Sequence, residues 1–192
     1  MSVRLALDRV ACLRGNRLLF EDMSFALQSG DAAIVTGPNG SGKSSLLRLA
    51  ATLLKPAAGS IAREGSIAYL SEQAALDSAL PLASALGFWA AIDRSSDGAI
   101  AAALEAMGIA ALTDVPVRML STGQRRRAGL ARIMTSKAKI WLLDEPGNGL
   151  DADTLGRLSD AIAAHRIAGG IVLAATHQPL GITDALALEL VI

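Results

Sequence analysis

The sequence has a single cysteine, Cys12, so no disulfide can form within the chain. That excludes a disulfide-stapled fold and fits a reducing compartment. The ordinary role of such a residue is a small buried apolar side chain. Neither sign of charge is in excess, with 18 Lys plus Arg against 18 Asp plus Glu. A dedicated nucleic-acid binder usually carries a basic surplus, so the balance argues against that role. No uncharged run reaches the roughly 20 apolar residues of a spanning helix. The stretch between Asp77 and Asp93, SALPLASALGFWAAI, is also interrupted by Pro81 and two serines. The first residues, MSVRLALDRV, carry charges too early and too often for a signal peptide. A cytosolic protein is therefore expected. What is present is a chain of 192 residues that is 52% hydrophobic, enough for one domain with a sizeable core.

Loose alternation in SVRLALDRVACL and in FEDMSFALQ suggests strands, and a turn at Ser29–Asp31 precedes a short apolar strand, AAIV. Helical spacing of leucines and alanines follows in SSLLRLAATLL, until KPAAGS breaks it. SIAYL is another short strand. From about residue 74 to 118 the chain is alanine-rich with helically spaced leucines, which reads as a helical insert. KIWLLDEP is an apolar strand ending in two acids, DTLGRLSDAIAAHRI an amphipathic helix, and GGIVLAAT one more buried strand before a short tail. Strands alternating with helices predict a mostly parallel sheet covered on both faces.

GPNGSGKSS lies between the strand AAIV and the helix SSLLRLA. It satisfies G-x-x-x-x-G-K-[ST] in the strand–loop–helix context that the motif requires. Across Gly37, Pro38, Asn39, Gly40, Ser41, Gly42, Lys43, Ser44 and Ser45, the glycines let the backbone curl so that N–H groups point at phosphate oxygens. The helix that follows adds its unpaired N–H groups and positive dipole end. Lys43 can reach the β- and γ-phosphates, and Ser44 can place its hydroxyl on Mg²⁺. In WLLDEP, the strand delivers Asp144, which can hold Mg²⁺ through water, and then Glu145, which can polarise an attacking water. His177, after the strand IVLAAT, could donate to a γ-phosphate.

One stretch remains, RMLSTGQRRRAGLARIM, where small residues run directly into three arginines. LSTGQ resembles the LSGGQ signature of the nucleotide-binding subunits of ATP-binding-cassette (ABC) proteins. With the motifs above in their order, the likeness runs from about Val3 to about Thr183. It implies a P-loop (RecA-like) α/β fold, with a mostly parallel sheet, an N-terminal antiparallel β subdomain and an inserted helical subdomain near 74–118, all in a single ABC ATP-binding domain over 1–192. It implies ATP and Mg²⁺ as cofactors. Ser121, Gly123 and Gln124 would bind ATP held by a second copy of the chain, in a head-to-tail sandwich. Gln73 would sense Mg²⁺ and a membrane partner, Asp151 would couple the two sites, Glu145 would be the catalytic glutamate and His177 the switch histidine. Arg125, Arg126 and Arg127 are expected to pair with acids inside the chain, with no nucleic-acid contact.

The sequence departs from the family at two points. No aromatic residue stands before the first motif for adenine to stack on, where Arg14 could offer its guanidinium plane instead. Thr122 replaces the commoner glycine of the signature. Local stretches, CLRGNRLLFEDMSF, SSLLRLAATLLKPAAGSI, YLSEQAALDSALPLASALGFWAA and ATHQPL, resemble the ATPase subunits of cytochrome c maturation (haem export) systems. That likeness implies a peripheral subunit on the cytoplasmic side of the bacterial inner membrane. Its partner would be a CcmB-like membrane permease subunit, and the chain itself would bind no haem. Phe88 and Trp89 would either line the groove for that partner or form the core of the insert. The alternatives are another transporter's ATPase, or a soluble ABC ATPase acting on nucleic acid or the ribosome.

Overall fold

The computed structural model describes residues 3–191. The alternating N-terminal segment forms β1 (Arg4–Arg14) and β2 (Arg17–Gln28), an antiparallel pair turning at Gly15 and Asn16. A third strand, β4 (Ala58–Glu64), pairs with the other edge of β1 and completes a small antiparallel sheet. The second sheet is parallel, in the order β5-β6-β7-β3-β8, from β3 (Ala32–Thr36), β5 (Ile67–Leu70), β6 (Ile140–Asp144), β7 (Ile171–Ala175) and β8 (Leu186–Glu189).

Sequence reasoning found β3, β5, β6 and β7 and passed over β4 and β8. The reason is burial. Every residue of β6 and β7 is buried, whereas β4 is almost wholly exposed and β8 buries one residue of four. Edge strands of this kind carry little apolar signal.

The buried strands divide their side chains between two cores. Ile140 and Leu142 of β6, with Ile171 and Leu173 of β7, face one cluster that includes Leu5, Phe25 and the helix α1 (Lys43–Ala50). Trp141, Leu143, Val172 and Ala174 face the other, which holds α4 (Thr122–Thr135), α5 (Ala152–Ile167) and the helical insert. A period of two on a fully buried strand demands this sandwich. Helix α1 ends at Ala50, short of the helical pattern that runs to Leu54, because Thr52 turns left-handed at φ 59°.

The insert contains α2 (Leu82–Asp93) and α3 (Ala99–Ala106) with two short 3₁₀ turns, Ala110–Leu112 and Val117–Met119. Its two ends meet at an antiparallel bridge between Pro81 and Pro116. Neither proline can donate there. The hydrogen bonds come from their neighbours, Leu82 N–H to Val115 O at 3.0 Å and Val117 N–H to Leu80 O at 3.0 Å.

Under the far end of the sheet, the His165 ring at the end of α5 stacks on Trp141, 3.9 Å between centroids and 9° from parallel. Burial pushes its pKa down from 6.5 to about 4. An unfolded chain protonates this histidine below about 6.5, while the folded chain resists until about pH 4. Between those values the unfolded state holds more protons, so stability is lost as pH falls through the window. Denaturant midpoints measured from pH 7 to pH 4 should fall more steeply for the wild type than for His165→Phe, which keeps the stacked ring without the titrating nitrogen. Equal slopes would contradict the assignment. Gly170→Ala should also lower the melting temperature, because its Cβ would overlap the His165 ring.

Candidate functional site

The register of the parallel sheet aligns Val35 of β3 with Ala175 of β7, and Ala175 with Asp144 of β6. All three strands end at one edge, so the loops that follow them converge there. Strand β3 leads into the loop from Gly37 to Gly42, β6 into Glu145, and β7 into His177. This is where an open parallel sheet binds ligands, because the loops beyond the strand ends carry free backbone groups.

A cavity of about 400 Å³ lies at that edge, lined by Arg14, Leu19, Asn39, Gly40, Gly42, Lys43, Ser44, Ser45, Asp144 and Glu145. Its size is within the roughly 300–1,000 Å³ of small-molecule sites. Lys43 is almost fully buried and donates to Gly37 O at 2.7 Å and Pro38 O at 3.1 Å. Its ammonium therefore lies folded over the loop. The Ser41 hydroxyl is buried with no partner among the described residues. At Gly37, φ is 141°, and an added Cβ would overlap Leu190 O and lie 2.9 Å from Ser41 Oγ. No side chain fits that curl.

Asp144 is buried, and the Tyr69 hydroxyl lies 3.4 Å from its Oδ2. Burial raises the Tyr69 phenol above its ordinary range, with Asp144 adding to the shift. Glu145 has a left-handed backbone, φ 47°, and its N–H donates to Ala175 O at 2.7 Å. His177 Nδ1 lies 2.9 Å from Glu145 Oε2. The two residues named separately in the sequence are thus brought into contact.

The remaining sequence candidates stand outside the cavity. Gln73 is exposed in the segment after β5, and its carbonyl accepts from Ser71 Oγ at 2.8 Å. Asp151 caps α5, accepting from Thr154 N–H at 2.8 Å, and that bonding lowers its pKa. LSTGQ begins α4 as a capping box. The Ser121 hydroxyl accepts from Gln124 N–H at 3.2 Å, and the Gln124 side chain accepts from Ser121 N–H at 2.8 Å. A serine followed three residues later by glutamine has this local reason to start a helix. Ser121 and Thr122 face solvent, and Gly123 and Gln124 are half-buried.

The expected pairing of the arginine run with acids is met only at longer range, where the charge of Arg127 helps to lower the pKa of Asp151, while the direct bonds of Arg125 and Arg126 go to carbonyls. Arg125 donates to Leu120 O at 3.1 Å, and Arg126 donates to the carbonyls of Ser71, Asp144, Glu145 and Pro146. Carbonyls win because α4 packs against the loop where the strand backbone ends, and a guanidinium fork suits several oxygens at once. Sequence reasoning also missed Tyr69 and Leu19. Tyr69 is the only tyrosine of the chain and lies at a strand end, which was the one available signal.

Residues 20–148 match the ABC transporter family. The chain belongs to the ABC transporter family. Within it, the sequence is 58% identical over 184 residues to the cytochrome c biogenesis ATP-binding export protein CcmA of Sphingopyxis alaskensis, covering 96% of this chain and 95% of that protein. It is 52% identical to the CcmA of Zymomonas mobilis, covering 98% and 85%. An ATP-binding ABC transporter protein from Pyrococcus furiosus has the same fold, with a TM-score of 0.85, 24% identity and 97% coverage of both chains. An ABC transporter of the metal-chelate type, in an inward-facing conformation, aligns with a TM-score of 0.82 over 99% of this chain and 80% of that one. This ABC ATP-binding subunit is therefore most like CcmA and binds nucleotide.

Because Gly37 has no room for a side chain, Gly37→Ala should lower stability by about 1–3 kcal/mol. Urea denaturation of the two proteins side by side checks this, and an unchanged midpoint would contradict the close approach of Leu190.

Proposed function

We propose that the chain is the ATP-hydrolysing subunit of a membrane ABC complex that serves cytochrome c biogenesis. The observation that carries this is the convergence of Lys43, Ser44, Asp144 and Glu145 on one cavity, in a chain whose relatives are cytochrome c biogenesis export proteins. In this reading the loop 37–45 cradles the phosphates with its N–H groups. Lys43 leaves the carbonyls of Gly37 and Pro38 for the β- and γ-phosphates, exchanging two neutral acceptors for charged ones.

Mg²⁺ fits the donor set. One serine hydroxyl, Ser44, and one buried carboxylate, Asp144, line the same cavity. Such an ion takes few protein ligands and fills its shell with water and phosphate oxygens. When bound it would neutralise charge on the phosphates. Gln73 would join that shell only after moving inward.

Glu145 takes the proton of the attacking water. His177 Nδ1 stands 2.9 Å from Glu145 Oε2 without a hydrogen bond between them, so the ring lies beside the carboxylate. From there a ring N–H of His177 would donate to a γ-phosphate. Arg14 and Leu19 offer a guanidinium plane and an apolar shelf for the base.

Ser121, Thr122, Gly123 and Gln124 stand outside the cavity of their own chain, which supports a second copy supplying them across a head-to-tail dimer. Asp151, capping α5 beside them in this reading, couples the two sites. The partner face lies on the insert. Phe88 is 60% exposed and meets Trp89 edge-on at 5.6 Å, and the two line a groove with Ala75, Asp77, Leu80 and Ala85. Trp89 is anchored by donating to Ala75 O at 2.7 Å and lies under the Arg132 guanidinium at 4.8 Å. Phe88 is thus presented and Trp89 held, which suits a helix of a CcmB-like permease. Among the described residues no helix is long and apolar enough to cross a membrane. We place the chain on the cytoplasmic face of the bacterial inner membrane.

The Glu145→Gln variant should bind ATP, turn over at least about 100-fold more slowly, and remain with its complex when isolated from native membranes with ATP. Recovery of cytochrome c biogenesis membrane subunits is the expected result. A different permease would overturn the assignment to cytochrome c, and undiminished hydrolysis would overturn the role of Glu145. Lys43→Ala should weaken ATP binding by about 10–100-fold in a direct titration.

A further inference from the structure

We propose that Arg126 is a positioning residue, which fixes the Glu145 backbone and the segment leading to the insert as one unit. The inference rests on the reading of Glu145 as the group that activates water. Arg126 stands one turn into α4 and is half-buried. Its Nη2 donates to Asp144 O and to Glu145 O, the latter at 2.5 Å. Its Nε donates to Pro146 O at a longer 3.4 Å, and its Nη1 to Ser71 O at 2.8 Å. One side chain therefore holds three successive carbonyls, from the last residue of β6 into the loop after it, and a fourth from the segment after β5.

The held conformation is one that glutamate rarely adopts. Glu145 has φ 47°, in the left-handed region where a side chain crowds its own backbone. Such a residue persists only when its surroundings over-determine it. Here the constraints are the Glu145 N–H to Ala175 O bond at 2.7 Å, the Asn148 N–H to Glu145 O bond at 3.1 Å, and the Arg126 fork. The direction of the Cα–Cβ bond follows from φ and ψ. A Glu145 relaxed to ordinary φ would swing its carboxylate out of the cavity and away from His177.

Ser71 adds the second half. It lies two residues before Gln73, on the segment that runs into the groove of Phe88 and Trp89. Any displacement of that segment acts on the guanidinium that holds Glu145. Arg126 thereby ties the partner-facing side of the molecule to the water-activating carboxylate by a single side chain. Only arginine suits the task. Its five donors lie in a fixed plane, whereas lysine presents one compact charge on a flexible stem.

The test compares Arg126→Lys and Arg126→Met with wild type, in the full chain isolated with its native membrane complex. Turnover should fall by about 100-fold, the cost of a reacting group misplaced by about 1 Å. Binding of ATP should change by less than about twofold, since no loop residue of the phosphate cradle is touched. In a Glu145→Gln background, Arg126→Met should slow turnover no further. Hydrogen exchange should quicken at residues 71–73 and at 144–147 together, while the interior of β6 stays protected. Lysine should rescue none of these effects.

Three results would overturn the proposal: turnover within about twofold of wild type, ATP affinity falling in step with turnover, or faster exchange at 144–147 with 71–73 unchanged. Normal hydrolysis in Glu145→Gln alone would instead sink the role given to Glu145. The exchange measurement would then still decide whether Arg126 joins the two segments.

Discussion

The structure depends on the burial of β6 and β7 on both faces. Two strands whose every side chain is enclosed can extend only as far as their cores do. Asp144 and Ala175 are the last strand residues, and side chains first become accessible just past them, at Glu145 and His177. Chemistry gathers at that boundary for a physical reason. The chain there is rigid on one side and free to carry polar groups on the other. Lys43, Asp144, Glu145 and His177 all stand within a few residues of it.

The same boundary explains what the arginines do. Carbonyls at a strand end have lost their ladder partners and are too enclosed to be fully hydrated. An unpaired buried carbonyl is costly. Helix α4 crosses them and supplies Arg126, whose own burial lowers its pKa, a cost offset by the nearby Asp144, Glu145 and Glu72 charges. The helix that starts with LSTGQ is therefore joined to the strand-end edge of its own chain, while its capped N-terminus faces outward.

Much of this was legible in the sequence, and the division follows locality. The glycine-rich loop, the acid pair and the capping box each occupy a few consecutive residues, so spacing alone exposes them. The central strands announce themselves by apolar runs. Strands β4 and β8 do not, because they are exposed edges held by pairing rather than by burial. The partners of Arg126 were hidden for another reason. Ser71 is 55 residues away and Asp144 is 18 away, and nothing local fixes the register between α4 and the loops it crosses. Carbonyls also belong to every residue, so no residue type signals them. The contact of His177 with Glu145 was invisible in the same way, since it follows from the alignment of β6 with β7.

The bridge between Pro81 and Pro116 has a consequence in chain entropy. It brings together the two ends of a segment some 35 residues long, so loop closure is met at the neck and not by the helices beyond it. Residues added or removed past the neck change that cost only as the logarithm of length. The parallel sheet sees the same two attachment points whatever the insert becomes. Such a neck lets the distal helices diverge to suit different neighbours while the order and register of β5, β6 and β7 stay as they are.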